Sequence, residues 1–345
     1  MIPPAPPSPV IAGQGRPSTA FAPRSLDLAY LVLPFLALAA LPAMAFSTWL
    51  TLTVAGIATG MMLFLMASGL TLIFGLMDVL SFAHGAFVTL GAYVAVTTLA
   101  HLAPWVAARN WPLDLAALAL AILAAALVGD AIGWLFERLV IRRVYGSHLQ
   151  QILITTGGLI VGQQLILVIW GADQLQVAKP AAMQGSLLIG GSAIEKYRLV
   201  ALALGLFVYL AMHLTLNRTR LGLLIRAGVE NREMVEALGF RIRRLFIAVF
   251  AAGCALAGIG GVMWAVYQEV VTVAIGADMT ILMFITVIIG GLGSVNGCFI
   301  GAILVGLANN YVGFLAPRAG LGTSIALMVL VLLWRPRGLF PLAAR

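Results

Sequence analysis

Charged side chains and cysteines are scarce in this sequence. Only 9% of the 345 residues are charged, whereas a soluble domain carries about a quarter. The 2 cysteines, Cys254 and Cys298, both lie in apolar runs, so we expect them to be small core residues rather than a disulfide. Hydrophobic residues make up 62% of the chain, and the mean hydropathy is +1.07. The composition predicts an all-α, polytopic membrane protein.

Catalytic and metal-binding motifs are missing as well. The sequence contains no G-x-S-x-G and no H-E-x-x-H pattern. The only lysines, Lys179 and Lys196, do not follow a glycine-rich phosphate loop, which excludes a Walker A site for ATP. The four histidines are far apart: His84, His101, His148 and His213. We therefore predict no enzyme, no cofactor, no metal site and no nucleic-acid partner, and any ATP-driven work would come from another polypeptide.

The apolar runs predict ten membrane segments. Residues 1–25 are rich in proline and predict a disordered cytoplasmic tail, followed by a transmembrane domain over residues 26–341. About 20 apolar residues cross the hydrocarbon. On that basis the segments are Leu26–Phe46, Trp49–Phe74, Val79–Leu99, Leu113–Phe136, Ile152–Trp170, Leu199–Leu216, Leu245–Tyr267, Met279–Leu292, Cys298–Leu315 and Leu321–Trp334. The third and eighth adjoin glycine-rich breaks and could re-enter the membrane instead of crossing it.

The distribution of Lys and Arg predicts the orientation. Ten crossings from a cytoplasmic N-terminus place 15 of the 20 basic residues on the cytoplasmic side. The other five are Arg109, Lys179, Lys196, Arg198 and Arg318. We therefore expect both termini to be cytoplasmic.

The stretch from Gly69 to Tyr93 combines an apolar composition with polar residues and glycines. An acid and an imidazole inside a membrane helix each cost free energy, and irregular backbone at that depth must be buried in protein or line a wet cavity. The stretch therefore predicts a break near Gly75–Asp78 and a second entry close to His84. Asp78, Ser81, His84 and Gly85 are candidates for a translocation path. The alternative is an ordinary short loop between two helices.

A second stretch resembles the first. Gly291-Leu292-Gly293-Ser294-Val295 followed by Asn296-Gly297 is similar to Gly75-Leu76-Met77-Asp78-Val79 followed, four residues later, by His84-Gly85. Internal repeats are common in transporters, and the substrate route runs between them. Asn296 and Gly297 are therefore candidates for the same path.

The longest predicted cytoplasmic loop covers residues 217–245. It contains an amphipathic pattern with apolar Met234, Val235 and Leu238, ending at Gly239. Its basic flanks are compatible with a helix that rests on anionic lipid or with a docking helix for a cytoplasmic partner. The residues that would make the partner contact are Asn231, Arg232, Glu233, Met234, Leu238 and Gly239.

Asp130 is an acid inside the fourth predicted segment. It could line a cavity, or it could pair with Arg138 or with a neighbouring helix.

Several motifs together resemble the LivH-type permease subunits of ABC importers for branched-chain amino acids. They are GLTLIFG with SFAHGAFVTLGAY, NREM with a following LG, Ala257-Gly258 with Gly261, IIGGLGSVNG, and RPRGLF. The similarity covers about residues 48–341. Ala86 is a departure, because the family often carries Glu after His-Gly.

The resemblance implies a permease subunit in the bacterial inner membrane, with loop 217–245 as the coupling element. It implies four kinds of partner: a second homologous permease, cytoplasmic ATP-binding subunits, a periplasmic substrate-binding protein and membrane lipid. The implied substrates are branched-chain or other small amino acids. Two alternatives stay open, namely a related permease for urea or short amides and an independent secondary carrier or channel.

Overall fold

The chain is described by a computed structural model that covers residues 32–34, 36, 40–145, 147–230, 232–239, 241–320 and 322–340. The predicted tail over residues 1–25 and part of the first predicted segment, Leu26–Phe46, lie outside these residues. The described part is mostly helical. Its helices are α1 (Phe46–Met77), α2 (His84–His101), α3 (Trp111–Leu139), α4 (His148–Trp170), α5 (Lys196–Arg218), α6 (Arg220–Glu230), α7 (Arg232–Ala237), α8 (Ile242–Gln268), α9 (Ile275–Gly290), α10 (Val295–Leu315) and α11 (Thr323–Trp334).

Short elements connect these helices. Ala103–Val106 and Pro317–Gly320 are single-turn helices, and Leu41–Ala43, Ile141–Arg143 and Ala181–Met183 are 3-10 turns. The strands are β1 (Leu175–Gln176), β2 (Ser186–Ile189), β3 (Ser192–Glu195) and β4 (Val270–Val271). β2 and β3 form an antiparallel hairpin, and β1 pairs antiparallel with β4.

Within the described residues, six helices are long and apolar enough to cross a membrane: α1, α3 extended to Arg143, α4, α5, α8 and α10. The chain is thus a multi-pass membrane protein. α9 has 16 residues and α11 has 12, and α2 has 18. α2 and α9 coincide with the third and eighth predicted segments. α11 agrees with the predicted segment Leu321–Trp334, because both end at Trp334 and the helix begins two residues later, at Thr323.

The helices leave the bundle alternately at two ends. At one end, which we call the basic end, lie the connections 78–83, 140–147, 219–241 and 291–294 together with residues 335–340. At the opposite end lie 102–110, 171–195, 269–274 and 316–322. β1 and β4 pair at the opposite end, which ties the α4–α5 connection to the α8–α9 connection.

α1 forms the centre of the core and packs against α5, α8 and α10. Most of its side chains from Ala55 to Ile73 are buried. Glycines permit the closest approaches: a methyl group added to Gly60 would lie 2.7 Å from the Ala302 carbonyl oxygen. Small residues let membrane helices pack backbone to backbone, and the Gly56/Gly60 spacing serves this purpose in α1.

Candidate functional site

The chain breaks between α1 and α2, as the sequence predicts. α1 ends at Met77, and Asp78 adopts the left-handed conformation with φ of 53°. The Asp78 N–H donates to the Phe74 carbonyl at 3.0 Å, which closes the last helical turn. The following loop is fastened to α4, because the Phe82 N–H donates to the Thr155 hydroxyl at 3.2 Å.

The predicted path residues of this break occupy different environments. His84 and Ser81 are fully buried. The His84 Nε2 lies 3.1 Å from the Met66 carbonyl oxygen, so the imidazole joins α2 to α1. Gly85 lies directly against the Gly276 backbone of α9. Asp78 is half exposed, and its carboxylate lies 3.8 Å from His148.

The second loop has a similar construction. α9 ends at Gly290, and both Gly291 and Gly293 have positive φ, of 103° and 80°. The Ser294 hydroxyl accepts a hydrogen bond from the Gly297 N–H at 3.1 Å and so caps α10. Gly297 itself lies against the Gly290 backbone.

The C-terminal RPRGLF motif closes the end of α9. The Leu339 and Phe340 N–H groups donate to the carbonyls of Ile289 and Gly290, each at 2.9 Å. The last carbonyls of a helix lack partners within the helix, so this segment supplies them. Two motifs that are far apart in the sequence therefore form one structural unit.

The two similar loops meet at a pair of glycines. A methyl group added to Gly75 would lie 2.8 Å from the Gly293 Cα, closer than real contacts allow. Beside this contact is a pocket of about 240 Å³ at the basic end. Its lining residues come from α1, α5, α6 and the second loop with the start of α10: Gly75, Leu76, His213, Leu216, Asn217, Ile225, Gly293, Ser294, Val295 and Asn296. Of the six predicted path residues, only Asn296 lines this pocket.

Three polar side chains of α5 complete the pocket's polar cluster, and the sequence analysis did not identify them. The Asn296 Oδ1 accepts a hydrogen bond from the Tyr209 hydroxyl at 3.2 Å and lies 3.2 Å from the His213 Nδ1. The Asn217 Nδ2 lies 3.2 Å from the same imidazole nitrogen. That nitrogen can donate to Asn296 or accept from Asn217, but not both at once. The four-residue spacing of 209, 213 and 217 was the available signal, since it places them on one helix face.

The predicted coupling helix forms as α7. It is short, and Gly239 follows it with φ of 87° while its N–H donates to the Glu236 carbonyl at 3.0 Å. Val235 is buried against the bundle, whereas Met234 and Leu238 are 62% and 68% exposed. Asn231 lies outside the described residues, and Arg232 and Glu233 fall within the helix.

Asp130 lines an apolar groove. The groove has a volume of about 560 Å³ and is formed by α1, α3, α5, α6 and α8. Within the described chain Asp130 has no ion pair, and Arg138 lies instead over the Trp134 ring, 5.2 Å from its centre. Of the alternatives for Asp130, the groove is the one observed among the described residues.

The opposite end contains an ion-pair network that the sequence did not predict. The Lys179 ammonium lies 2.7 Å from Glu195 and 2.6 Å from Glu269. Burial acts to lower the pKa of Lys179, but hydrogen bonds and charge attraction from the two carboxylates outweigh it and raise the pKa above its ordinary value. The network joins the α4–α5 connection to the C-terminus of α8.

The described residues contain no group of three or more His, Cys, Asp or Glu side chains that could hold a metal ion. The candidate sites described so far are a polar pocket, an apolar groove and an exposed short helix.

Comparison with known proteins places these features in one family. Residues 52–333 match the family described as the branched-chain amino acid transport system permease component. LivH of Salmonella typhimurium, a high-affinity branched-chain amino acid transport system permease protein, is 28% identical over 290 residues, which cover 82% of this chain and 92% of that protein. BraD of Pseudomonas aeruginosa, with the same description, is 27% identical over 290 residues, 82% of this chain and 93% of its own. The probable permease LivM of Methanocaldococcus jannaschii is 27% identical over 157 residues, 41% of this chain and 45% of its own.

Proposed function

The chain belongs to the family of branched-chain amino acid transport system permease components, and from that premise we propose that it is the membrane-spanning subunit of an ABC importer. The family match and the similarity to LivH and BraD confirm the resemblance to LivH-type permeases that the motifs predict. In the proposed function the chain forms part of the path for branched-chain or other small amino acids. ATP hydrolysis on separate cytoplasmic subunits drives the transport.

The assembly that we propose contains three further kinds of protein. A second homologous permease sits beside this chain, two ATP-binding subunits cover the basic end, and a periplasmic binding protein delivers the substrate to the opposite end. The membrane is then the bacterial inner membrane, with ten crossings and both termini in the cytoplasm. The excess of Arg at the basic end supports this orientation.

The observation that carries the ATP-driven function is the exposure of Met234 on α7 and of Leu238 directly after it. Both apolar side chains point away from the bundle, while the intervening Val235 anchors the helix to it. A helix that rested on lipid alone would need no particular apolar side chains. A helix that docks in a protein groove uses them as desolvated anchors, each contributing on the order of 1–3 kcal/mol to association.

The path that we propose runs past the meeting point of the two similar loops. Its support is the polar cluster of Tyr209, His213 and Asn296, together with two buried polar atoms at the first break. The Ser81 hydroxyl and the His84 Nδ1 have no hydrogen-bond partner within the described residues. Each unsatisfied buried polar group costs about 1–3 kcal/mol, a cost that a polar substrate or water passing the break would offset.

The test is ATP-dependent uptake of labelled leucine into vesicles that contain the assembled transporter. The double variant Met234→Ala with Leu238→Ala should lower co-purification of the ATP-binding subunit and abolish uptake. A matched control is Leu330→Ala with Leu333→Ala in α11. These two leucines are as exposed as Met234 and Leu238, at 65% and 83%, but they lie on a different helix. The control should retain both properties.

Two outcomes would overturn the proposal. Leucine uptake without ATP into vesicles that hold only this chain, unchanged by the α7 double variant, would indicate a secondary carrier or channel. If urea or acetamide competes with leucine uptake and valine or isoleucine does not, the chain is still part of an ATP-driven importer. The proposed substrate, a branched-chain amino acid, would then be wrong.

A further inference from the structure

A pocket with four arginines lies at the basic end, between α3, α7 and α8. It has a volume of about 880 Å³. Its lining residues are Trp134, Arg138, Glu236, Arg241, Ile242, Arg243, Arg244, Ile247 and Ala248. None of them belongs to the polar pocket at the two loops, and neither the amino acid path nor α7 docking uses the arginines.

The pocket has an excess of positive charge. Its described lining residues include four arginines and one carboxylate, that of Glu236. In the part of the chain that the structure describes, none of the four guanidiniums is held in an ion pair. Arg138 is positioned over the Trp134 ring. Guanidiniums bind phosphate oxygens with paired hydrogen bonds, so an anion with a phosphate group fits this set.

The pocket also has apolar lining residues, and one of them is shared with the apolar groove. Ile242 is buried, and Ile247 and Ala248 line the pocket with it. Ala248 also lines the apolar groove, where Leu245, Val249 and Ala252 follow along α8. Trp134 is 43% exposed, as is usual for a tryptophan at a membrane interface. The basic pocket thus adjoins the apolar groove, and among the described residues that line the groove Asp130 is the one acid.

We propose that this pocket binds an anionic phospholipid from the membrane leaflet at the basic end. The phosphate lies among Arg241, Arg243 and Arg244, and one acyl chain passes Ala248 into the groove. A basic pocket between membrane helices is the expected site for such a head group. A soluble phosphate would use the guanidiniums but not the groove. The proposal depends on the membrane location of the chain and not on ATP-driven transport.

The test uses the purified full chain in detergent and phosphatidylglycerol as the probe, with native mass spectrometry to measure bound lipid. Arg243→Gln with Arg244→Gln should weaken phosphatidylglycerol binding by about 30-fold, since each arginine near a lipid surface contributes about fivefold. Phosphatidylcholine binding should be unchanged. The matched control, Arg218→Gln with Arg220→Gln, removes the same charge from exposed positions of the same end that do not line the pocket, and should keep near-wild-type binding.

A second variant tests the groove. Ala248→Trp should block passage of the acyl chain and weaken phosphatidylglycerol binding while leaving the affinity for soluble glycerol phosphate unchanged. If the Arg243/Arg244 variant and the Arg218/Arg220 control lose phosphatidylglycerol binding equally, general surface charge explains the effect. That result would overturn the proposal. So would complete displacement of the lipid by millimolar inorganic phosphate. Loss of ATP-binding subunit co-purification with unchanged lipid binding would assign the arginines to the protein partner instead.

Discussion

Replacement of Gly75 by alanine tests whether the two similar loops are held together by direct backbone contact. The added methyl group would lie 2.8 Å from the Gly293 Cα and 2.9 Å from its carbonyl oxygen. These are backbone atoms, so a side-chain rotation cannot relieve the overlap. Gly293 has a φ of 80°, which restricts how far its loop can readjust.

The expected magnitude follows from a comparison with Gly157→Ala in α4. A methyl group at Gly157 has no heavy atom within 4 Å, so this variant should gain up to about 1 kcal/mol of helix propensity. Gly75→Ala should gain the same amount but lose about 1–3 kcal/mol to overpacking. The difference between the two variants is therefore about 1–3 kcal/mol, with Gly75→Ala the less stable.

Thermal unfolding of both purified variants in one detergent measures this difference, and leucine uptake by the assembled transporter measures its consequence. Gly75→Ala should unfold several degrees below Gly157→Ala and show reduced uptake, because Gly75 lines the polar pocket. Equal unfolding temperatures for the two variants would refute the inference that the glycine contact holds the loops together.

Three further predictions address orientation, the first break and the ion pairs. Leu188→Cys on the β2–β3 hairpin, 80% exposed, should react with an impermeant thiol reagent added outside cells, and Leu238→Cys should not; the reverse pattern would invert the orientation. His84→Leu removes one buried hydrogen bond, which is worth about 0.5–1.5 kcal/mol. The variant should therefore insert and fold but lose leucine uptake. Wild-type uptake would mean that residues 78–83 only connect two helices. Lys179→Met should destabilise the chain at pH 7. The raised pKa of Lys179 means that its ion pairs stabilise the folded state, and this stabilisation is fully present below the ordinary lysine pKa. The difference in unfolding free energy between wild type and Lys179→Met should shrink only above about pH 10.4. A difference that shrinks near pH 7 would show that the charge of Lys179 does not cause it.

Periodicity and composition predicted much of the helical framework because a membrane helix must satisfy its own backbone hydrogen bonds. Segments such as Trp49–Phe74 and Leu245–Tyr267 therefore appear as α1 and α8 with ends shifted by a few residues. The break before His84 was predictable for the same reason, since polar residues and glycines interrupted an apolar run. The third predicted segment shows the limit: its apolar run starts at Val79, but α2 begins only at His84.

The partners of individual side chains were not predictable from local pattern. The sequence placed Asn296 among the path candidates but gave no sign that Tyr209 and His213 reach it, because that contact joins helices more than 80 residues apart. Asp130 was assigned alternative environments, and only the structure shows that it lines the groove between α1, α3, α5, α6 and α8.

The amino-acid sequence by itself determined the class of this protein: a helical membrane chain without catalytic or ATP-binding motifs, with family motifs in order along it. Only the tertiary structure decided which of those motifs meet. RPRGLF caps α9, Gly75 lies against Gly293, and the basic pocket adjoins the apolar groove at Ala248. The physical reason is that hydropathy and helix periodicity act within one segment, whereas these contacts depend on helix packing between segments distant in the chain.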